Sequence, residues 1–211
     1  MAARRGVGRY RGGVEGYAAV VLAGGAGRRL GGVDKSRLPV GGRPMREHVL
    51  DAVTAARPRI LVGPGPAPAG VLAAREEPPG SGPVPATAAG LALLGPEVAE
   101  VALLAVDLPL LTAAAVTALR VRLAVGDCDG VCYRDDRGRR QQLCGVWRVA
   151  ALRAAFDRLR HERGPELAGA SMRALLAGCT IAEIDPTGDG PPPWFDCDTA
   201  EDVRRAQGWS A

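Results

Sequence analysis

Residues 18–35 read Ala-Ala-Val-Val-Leu-Ala-Gly-Gly-Ala-Gly-Arg-Arg-Leu-Gly-Gly-Val-Asp-Lys. An apolar run of strand length ends at a Gly-Gly pair, and a glycine-rich loop with two arginines follows. A loop of this kind after a strand presents backbone N–H groups to phosphate, and glycine lets the backbone approach a ligand closely. The arginines and Lys35 supply cationic donors suited to phosphate oxygens. The stretch therefore predicts a nucleoside triphosphate site.

Two commoner phosphate motifs do not fit this loop. A Walker A motif needs glycine before the lysine, but Asp34 precedes Lys35. A dinucleotide fingerprint needs a third glycine where Leu30 stands. A flexible turn after a buried strand would explain the glycines alone. Lys35 argues against that alternative, because it is the single lysine among 27 basic residues and marks a place where a compact ammonium is required.

Charge and composition narrow the class of protein. The formal net charge is +4, and residues 1–16 contribute +3 of it through four arginines and Glu15. The rest of the chain is too weakly basic to indicate nucleic-acid binding. We expect residues 1–16 to be a disordered basic leader and residues 17–211 to be one domain. No apolar run is long enough for a membrane span or a signal peptide, which predicts a cytoplasmic protein without a membrane segment.

The cysteines and histidines do not indicate a metal site or a catalytic site. Cys128, Cys132, Cys144, Cys179 and Cys197 show no paired spacing, so they predict free thiols rather than a zinc site. The chain has only two histidines, which leaves little for histidine-dependent catalysis.

Strand and helix patterns alternate along the chain. The predicted strands are 18–23, 59–63, 71–74, 101–106, 130–133, 141–147 and 180–184, and the predicted helices are 45–56, 84–94, one capped by Thr112, 149–156, 171–176 and one after residue 198. This alternation predicts an α/β protein, a single-domain three-layer α/β/α sandwich on a mostly parallel, Rossmann-like sheet. Ligands of such sheets lie beyond the carboxyl ends of the strands, which points to the loops after Ala23, Val106 and Phe195.

Two of these loops carry carboxylates. Asp107 follows the most apolar run of the chain and is followed by Leu-Pro. It suits a Mg²⁺ ligand facing bound phosphates, although aspartate at such a place is also common as a turn cap. Asp198 precedes the last helix, where aspartate is a favoured N-cap, so either Asp198 or Thr199 caps that helix.

Leu22 to Lys35 resembles the nucleotidyltransferase signature Leu-x-Gly-Gly-x-Gly-x-Arg-Leu/Met-Gly followed closely by Lys. It is most similar to the molybdenum cofactor guanylyltransferase family, with Leu30 in place of a methionine. Gly41-Gly42-Arg43-Pro44 matches the family's later Gly-x-Pro, and the resemblance spans residues 17–206. It departs from the family after Gly82-Pro83 and at Ala200, where a proline is usual.

The resemblance implies a role for each matching residue. It implies catalytic roles for Arg29, Lys35 and Asp107, and Mg²⁺ ligation by Asp107 and Asp198. Gln142 falls near the expected acceptor site. The nucleotide contacts it implies are Leu22, Ala23, Gly24, Gly25, Gly27, Lys35, Glu77 and Asp107.

The activity implied by the resemblance is transfer of GMP from GTP to Mg-molybdopterin, with release of pyrophosphate. The implied partners are GTP, a molybdopterin-type cofactor, and molybdenum-insertion proteins, acceptor molybdoenzymes or their chaperones, with a monomer or weak homo-oligomer as the assembly. A cytidylyltransferase acting on the same cofactor is the nearest alternative, and another small-molecule nucleotidyltransferase is a broader one. A nucleotide-binding module without turnover is a third, which Arg29, Lys35 and Asp107 disfavour.

Overall fold

The computed structural model describes residues 16–24, 35–185 and 190–209. Its strands are β1 (Ala18–Leu22), β2 (Pro39–Val40), β3 (Arg43–Pro44), β4 (Arg59–Val62), β5 (Leu72–Ala74), β6 (Glu100–Ala105), β7 (Gly130–Arg134), β8 (Arg140–Arg148) and β9 (Ile181–Ile184). Its α-helices are α1 (Met45–Ala52), α2 (Pro83–Leu91), α3 (Ala113–Val125), α4 (Val149–Arg163), α5 (Met172–Leu175) and α6 (Ala200–Trp209). Residues 1–15 of the predicted leader lie outside the described residues, so the leader stays a prediction.

One sheet organises the described part of the chain, with the strand order β5-β4-β1-β6-β8-β7-β9. The pairs β5–β4, β4–β1, β1–β6 and β7–β9 are parallel. Strand β8 is antiparallel to both of its neighbours, β6 and β7. The prediction of a mostly parallel sheet is confirmed. Because β8 runs the other way, its first residues lie at the edge where the parallel strands end.

The sheet is the middle of three layers, as predicted. Strand β1 is buried on both faces, and its neighbouring valines, Val20 and Val21, belong to separate apolar clusters. The Val20 cluster lies under α2, α4 and α5, and the Val21 cluster lies under α1 and α3. Burial on both faces explains the unbroken apolar run in the sequence. A third apolar cluster contains Phe195, Cys197 and Ala206, and it packs α6 against β2.

Several element boundaries differ from the predicted ones. Helix α1 ends at Ala52 rather than residue 56, since Val53 leaves the helical conformation with φ −117° and ψ 27°. The N–H of Arg57 then bonds to the carbonyl of Tyr17. Helix α4 continues seven residues further than predicted, because buried Leu159 extends its apolar face. It ends at Gly164, whose φ of 87° is readily adopted only by glycine.

The five cysteines are free, as predicted. Across residues 16–24, 35–185 and 190–209, every helix is too short or too polar to cross a bilayer.

Helix α2 packs unusually close to the sheet at Gly90. A Cβ there would lie 2.5 Å from Val20 Cγ1 and 3.2 Å from Val62 Cγ2, both on fully buried side chains. Alanine would gain about 1 kcal/mol in helix propensity, but crowding of a packed core costs roughly 1–3 kcal/mol. We expect Gly90→Ala to lower the free energy of unfolding, as measured by urea denaturation. Gly208→Ala in α6 is the matched control, because nothing lies within 4 Å of its Cβ position, and it should not destabilise the protein.

Candidate active site

A cavity of about 650 Å³ opens at the carboxyl edge of the sheet. Strand β1 ends there with Leu22, Ala23 and Gly24 in the cavity wall, beside Lys35 and Asp107. The backbone continues the sheet at this point, since Ala23 donates to the carbonyl of Val62 and Val106 donates to that of Leu22. The loops after β1 and β6 are thus held side by side at the place where α/β folds bind ligands.

The cavity extends along this edge from β5 to β8. Arg75 and Glu76, which follow β5, line one end, and residues 141–144 at the start of β8 line the other. Lys35 and Asp107 lie between them, beyond β1 and β6. The order of the strands therefore gives the cavity two ends and a charged centre.

Among the described residues, one ammonium group bonds to two carboxylates at the charged centre. Lys35 Nζ donates to Asp107 Oδ2 at 3.1 Å and also to Asp198 Oδ1. The side chains of Lys35 and Asp107 are only 17% and 18% exposed, whereas that of Asp198 is 43% exposed. Burial disfavours the charged form of Lys35, but the bonds to Asp198 and Asp107 outweigh it and raise the pKa of the ammonium. Lys35 is therefore fully charged at neutral pH.

Asp198 reaches this centre because another residue caps the last helix. The N–H of Asp202 donates to Thr199 Oγ1 at 3.2 Å, and Asp202 Oδ2 accepts from the N–H of Thr199 at 2.8 Å. This reciprocal pair is a capping box, which makes Thr199 the N-cap of α6. The Cys197 N–H also donates to the Asp107 carbonyl at 3.1 Å and ties the two loops together. The side chain of Asp198 is thus free of the capping role and bonds to Lys35.

A third carboxylate, Asp196, lines the same cavity. Burial raises the pKa of Asp196, and the negative charges of Asp107 and Asp198 raise it further. Asp196 is not among the predicted site residues, although it lies two positions before Asp198 in the sequence Asp-Cys-Asp.

The donor set fits the predicted Mg²⁺ in its chemistry. Asp107 and Asp198 offer the hard carboxylate oxygens that Mg²⁺ prefers. Within the described residues, no group of three or more His, Cys, Asp or Glu side chains is arranged to hold a metal ion. Both carboxylates instead hold Lys35. Mg²⁺ ligation by Asp107 and Asp198 stays a prediction, and these are the two carboxylates of the centre that could supply it.

At the β5 end, the structure places Glu76 in the cavity wall, whereas Glu77, the predicted nucleotide contact, is exposed. Glu76 is only 6% exposed, and its Oε1 accepts from the Gly80 N–H at 2.9 Å. Its buried Oε2 has no hydrogen-bond partner within the described residues. A Cβ on Gly24 would lie 3.5 Å from Oε1, so Glu76 adjoins the loop after β1. A buried carboxylate oxygen without a partner is costly, so Glu76 is a candidate acceptor for a ligand hydrogen bond.

At the β8 end, Gln141, Gln142, Leu143 and Cys144 all line the cavity. The β7–β8 register shifts after Cys132, which leaves extra residues on β8. A bulge of this kind interrupts the alternation of side chains between the two faces of a strand. Gln142, the predicted acceptor-site residue, therefore lines the cavity together with Gln141, and its role stays a prediction.

Six of the predicted site residues line the cavity. The cavity brings together Leu22, Ala23, Gly24, Lys35, Asp107 and Gln142, and Lys35 connects it to Asp198. Gly25, Gly27 and Arg29 lie outside the described residues, so their roles stay predictions. Sequence reasoning missed Arg75, Glu76, Gln141 and Asp196 as cavity residues.

The fold is shared with solved nucleotidyltransferases. It superposes on the molybdopterin-guanine dinucleotide biosynthesis protein A of Archaeoglobus fulgidus with a TM-score of 0.68, at 17% identity, over 90% of this chain and 97% of that one. It superposes on the 4-diphosphocytidyl-2C-methyl-D-erythritol synthase of Anaerococcus prevotii with a TM-score of 0.67, at 15% identity, over 94% and 99% of the two chains. At these identities, the comparisons establish the fold alone.

Sequence comparison assigns the family. The MobA-like NTP transferase domain matches residues 19–180, and the chain belongs to that family of nucleotidyltransferases. A molybdenum cofactor guanylyltransferase of Acidiphilium cryptum is 33% identical over 153 residues, which are 70% of this chain and 74% of the relative. A probable molybdenum cofactor guanylyltransferase of Mycobacterium tuberculosis is 37% identical over 139 residues, 63% of this chain and 68% of the relative.

Proposed function

We propose that this nucleotidyltransferase transfers GMP from GTP to a molybdopterin-type acceptor and releases pyrophosphate. The observation that carries the proposal is the Lys35–Asp107–Asp198 cluster, set in a cavity directly beyond the ends of β1 and β6. The names of the relatives in Acidiphilium cryptum and Mycobacterium tuberculosis support the nucleotide and the acceptor.

The two ends of the cavity suit two substrates. In this proposal, the triphosphate binds at Lys35, the base extends towards Glu76, and the acceptor occupies the β8 end. Lys35, Glu76 and residues 141–144 all line one cavity, which supports this arrangement. A phosphate oxygen of the acceptor attacks the α-phosphorus, the new O–P bond forms, and the bond to the β-phosphate oxygen breaks. Pyrophosphate leaves with the electron pair of that bond. The cavity needs no protein nucleophile for this step, because positioning and charge stabilisation account for most of the catalysis of phosphoryl transfer.

Lys35 and the two carboxylates stabilise different negative charges in this reaction. Asp107 and Asp198 would hold Mg²⁺, which when bound neutralises charge on the phosphate oxygens. Lys35 offers a compact ammonium at the cavity centre, where it stabilises the negative charge of the leaving pyrophosphate.

Glu76 favours GTP over CTP, the nucleotide of the nearest alternative. A carboxylate accepts hydrogen bonds only, and guanine presents two adjacent donors, N1–H and the 2-amino group. Cytosine presents a single amino donor beside two acceptors. The unpartnered Oε2 of Glu76 and its neighbour Oε1 therefore match guanine better.

This assignment predicts the effect of Glu76→Gln. The amide would place a donor against the guanine donors and remove a charge-assisted bond worth roughly 1.5–3 kcal/mol. We expect GTP affinity, measured by calorimetry, to fall by about tenfold or more. CTP affinity should change little. Glu77→Gln is the matched control, since Glu77 is the exposed neighbour. A larger loss of GTP affinity in Glu77→Gln than in Glu76→Gln would mean that Glu77 contacts the base.

A substrate panel tests the proposed function. The purified protein is incubated with Mg²⁺ and each of GTP, CTP, ATP and UTP, with and without molybdopterin, and pyrophosphate is measured. We expect pyrophosphate release to require GTP and molybdopterin together. Release with CTP in preference to GTP would transfer the assignment to the cytidylyl alternative.

A further inference from the structure

The tight turn between β7 and β8 is built around one buried carboxylate, Asp135. Its side chain is only 1% exposed. Oδ1 accepts from the backbone N–H groups of Arg137 at 3.0 Å and Arg139 at 2.8 Å. Oδ2 accepts from Arg139 Nε at 2.8 Å. These bonds hold both the loop of the turn and the carboxylate itself in one geometry.

A fourth donor to Asp135 comes from the cavity wall. Gln141 Nε2 donates to Asp135 Oδ2 at 2.9 Å, and Gln141 lines the β8 end of the cavity. An ionised carboxylate accepts only, so the amide nitrogen of Gln141 must face Asp135. The bond thereby orients the amide of this cavity-lining residue, and its Oε1 is the atom that accepts hydrogen bonds.

The bulge in β8 also determines which side chains face the β8 end of the cavity. The backbone pairing passes from Cys132–Gly145 to Tyr133–Gln141, so residues 142–144 lie between two paired positions. Bulges beside active sites redirect side chains, and here four successive residues line one cavity. Asp135 anchors the turn-side end of this irregular segment.

We propose that Gln141 binds the acceptor substrate through Oε1 and that Asp135 is the positioning residue that orients its amide. The matching group is an N–H donor of a heterocyclic ring, as on the pterin of molybdopterin. This inference rests on the proposed function and adds to it a residue for acceptor recognition. Asp135 contacts the substrate only through Gln141.

Steady-state kinetics with molybdopterin as the varied substrate at saturating GTP test the inference. Gln141→Leu removes the acceptor atom and leaves the turn bonds of Asp135 to residues 137 and 139 in place. Asp135→Asn offers a weaker acceptor to those donors and allows the Gln141 amide to rotate. We expect each variant to raise the KM for molybdopterin about fivefold, the value of one neutral hydrogen bond, while kcat and the Kd of GTP change less than about twofold.

The double variant separates positioning from a general structural effect. If Asp135 acts through Gln141, the KM of Asp135→Asn/Gln141→Leu will equal that of Gln141→Leu alone, since coupled residues are not additive. Asp136→Asn, at the exposed neighbouring carboxylate in the same turn, should match the parent.

Three results would overturn the inference. They are an unchanged KM in Gln141→Leu, additive effects in the double variant, and a loss of GTP affinity equal to the loss of acceptor affinity. A parent enzyme that transfers nothing to molybdopterin would overturn the proposed function itself, which separates the two failures.

Discussion

Replacement of Asp107 by asparagine is expected to reduce turnover by about a thousandfold. The change removes a carboxylate that bonds to Lys35 at 3.1 Å and that would hold Mg²⁺. Neutralisation of phosphate charge by a metal ion is worth several kcal/mol, and about 4 kcal/mol corresponds to a factor of a thousand in rate. The amide is isosteric and Lys35 keeps Asp198, so the fold should be retained. Single-turnover transfer from GTP measures the loss.

Asp127→Asn provides the control for this prediction. Asp127 is exposed and precedes β7, at the edge of the sheet opposite the cavity. Its rate should equal that of the parent. If Asp107→Asn kept the parent's rate and Mg²⁺ dependence, Asp107 would be a turn residue and the proposed catalytic centre would be wrong.

Lys35→Arg is expected to lose most of the turnover although the charge is retained. The ammonium fits between two carboxylates with its side chain only 17% exposed. A guanidinium is planar and larger, so it cannot occupy the same point between phosphates. A displacement of about 1 Å can cost on the order of a hundredfold in rate.

The stability of Lys35→Arg separates a catalytic from a structural role. Arginine can still pair with Asp107 and Asp198, so the melting temperature should stay close to that of the parent. Arg43→Lys is the control: it replaces an arginine by a lysine in half-exposed ion pairs with Glu47 and Asp51. It should leave both rate and stability nearly unchanged. An active Lys35→Arg enzyme would mean that the single lysine reflects composition alone.

The layers of the fold could be predicted because each helix and strand leaves a pattern in its own short stretch of sequence. The apolar run of β1 reflects burial on both faces, and Thr112 caps α3 by accepting from the Ala115 N–H. The proximity of Lys35 and Asp107 at one edge of the sheet was also predictable. Both residues follow strands that pair in parallel, and parallel strands end at one edge of the sheet.

The remaining site residues depend on geometry that the sequence does not contain. Glu76 and Glu77 are adjacent and chemically alike, and the three-residue strand β5 is too short for a pattern to show which one faces the cavity. Asp198 and Thr199 are both good helix caps, and only the bond pattern with Asp202 assigns the role to Thr199. Gln141 reaches the cavity through a bulge, which shifts the side-chain alternation on which strand predictions depend.

Transfer of label from GTP marked with ³²P at the α-phosphate tests the central proposal most directly. The protein is incubated with the labelled GTP, Mg²⁺ and molybdopterin, and the products are separated. We expect the label to appear in a guanine dinucleotide product, with one unlabelled pyrophosphate released for each label transferred, and neither to form in the Asp107→Asn variant. Label that stays in GTP or appears only as free GMP would contradict guanylyl transfer to this acceptor.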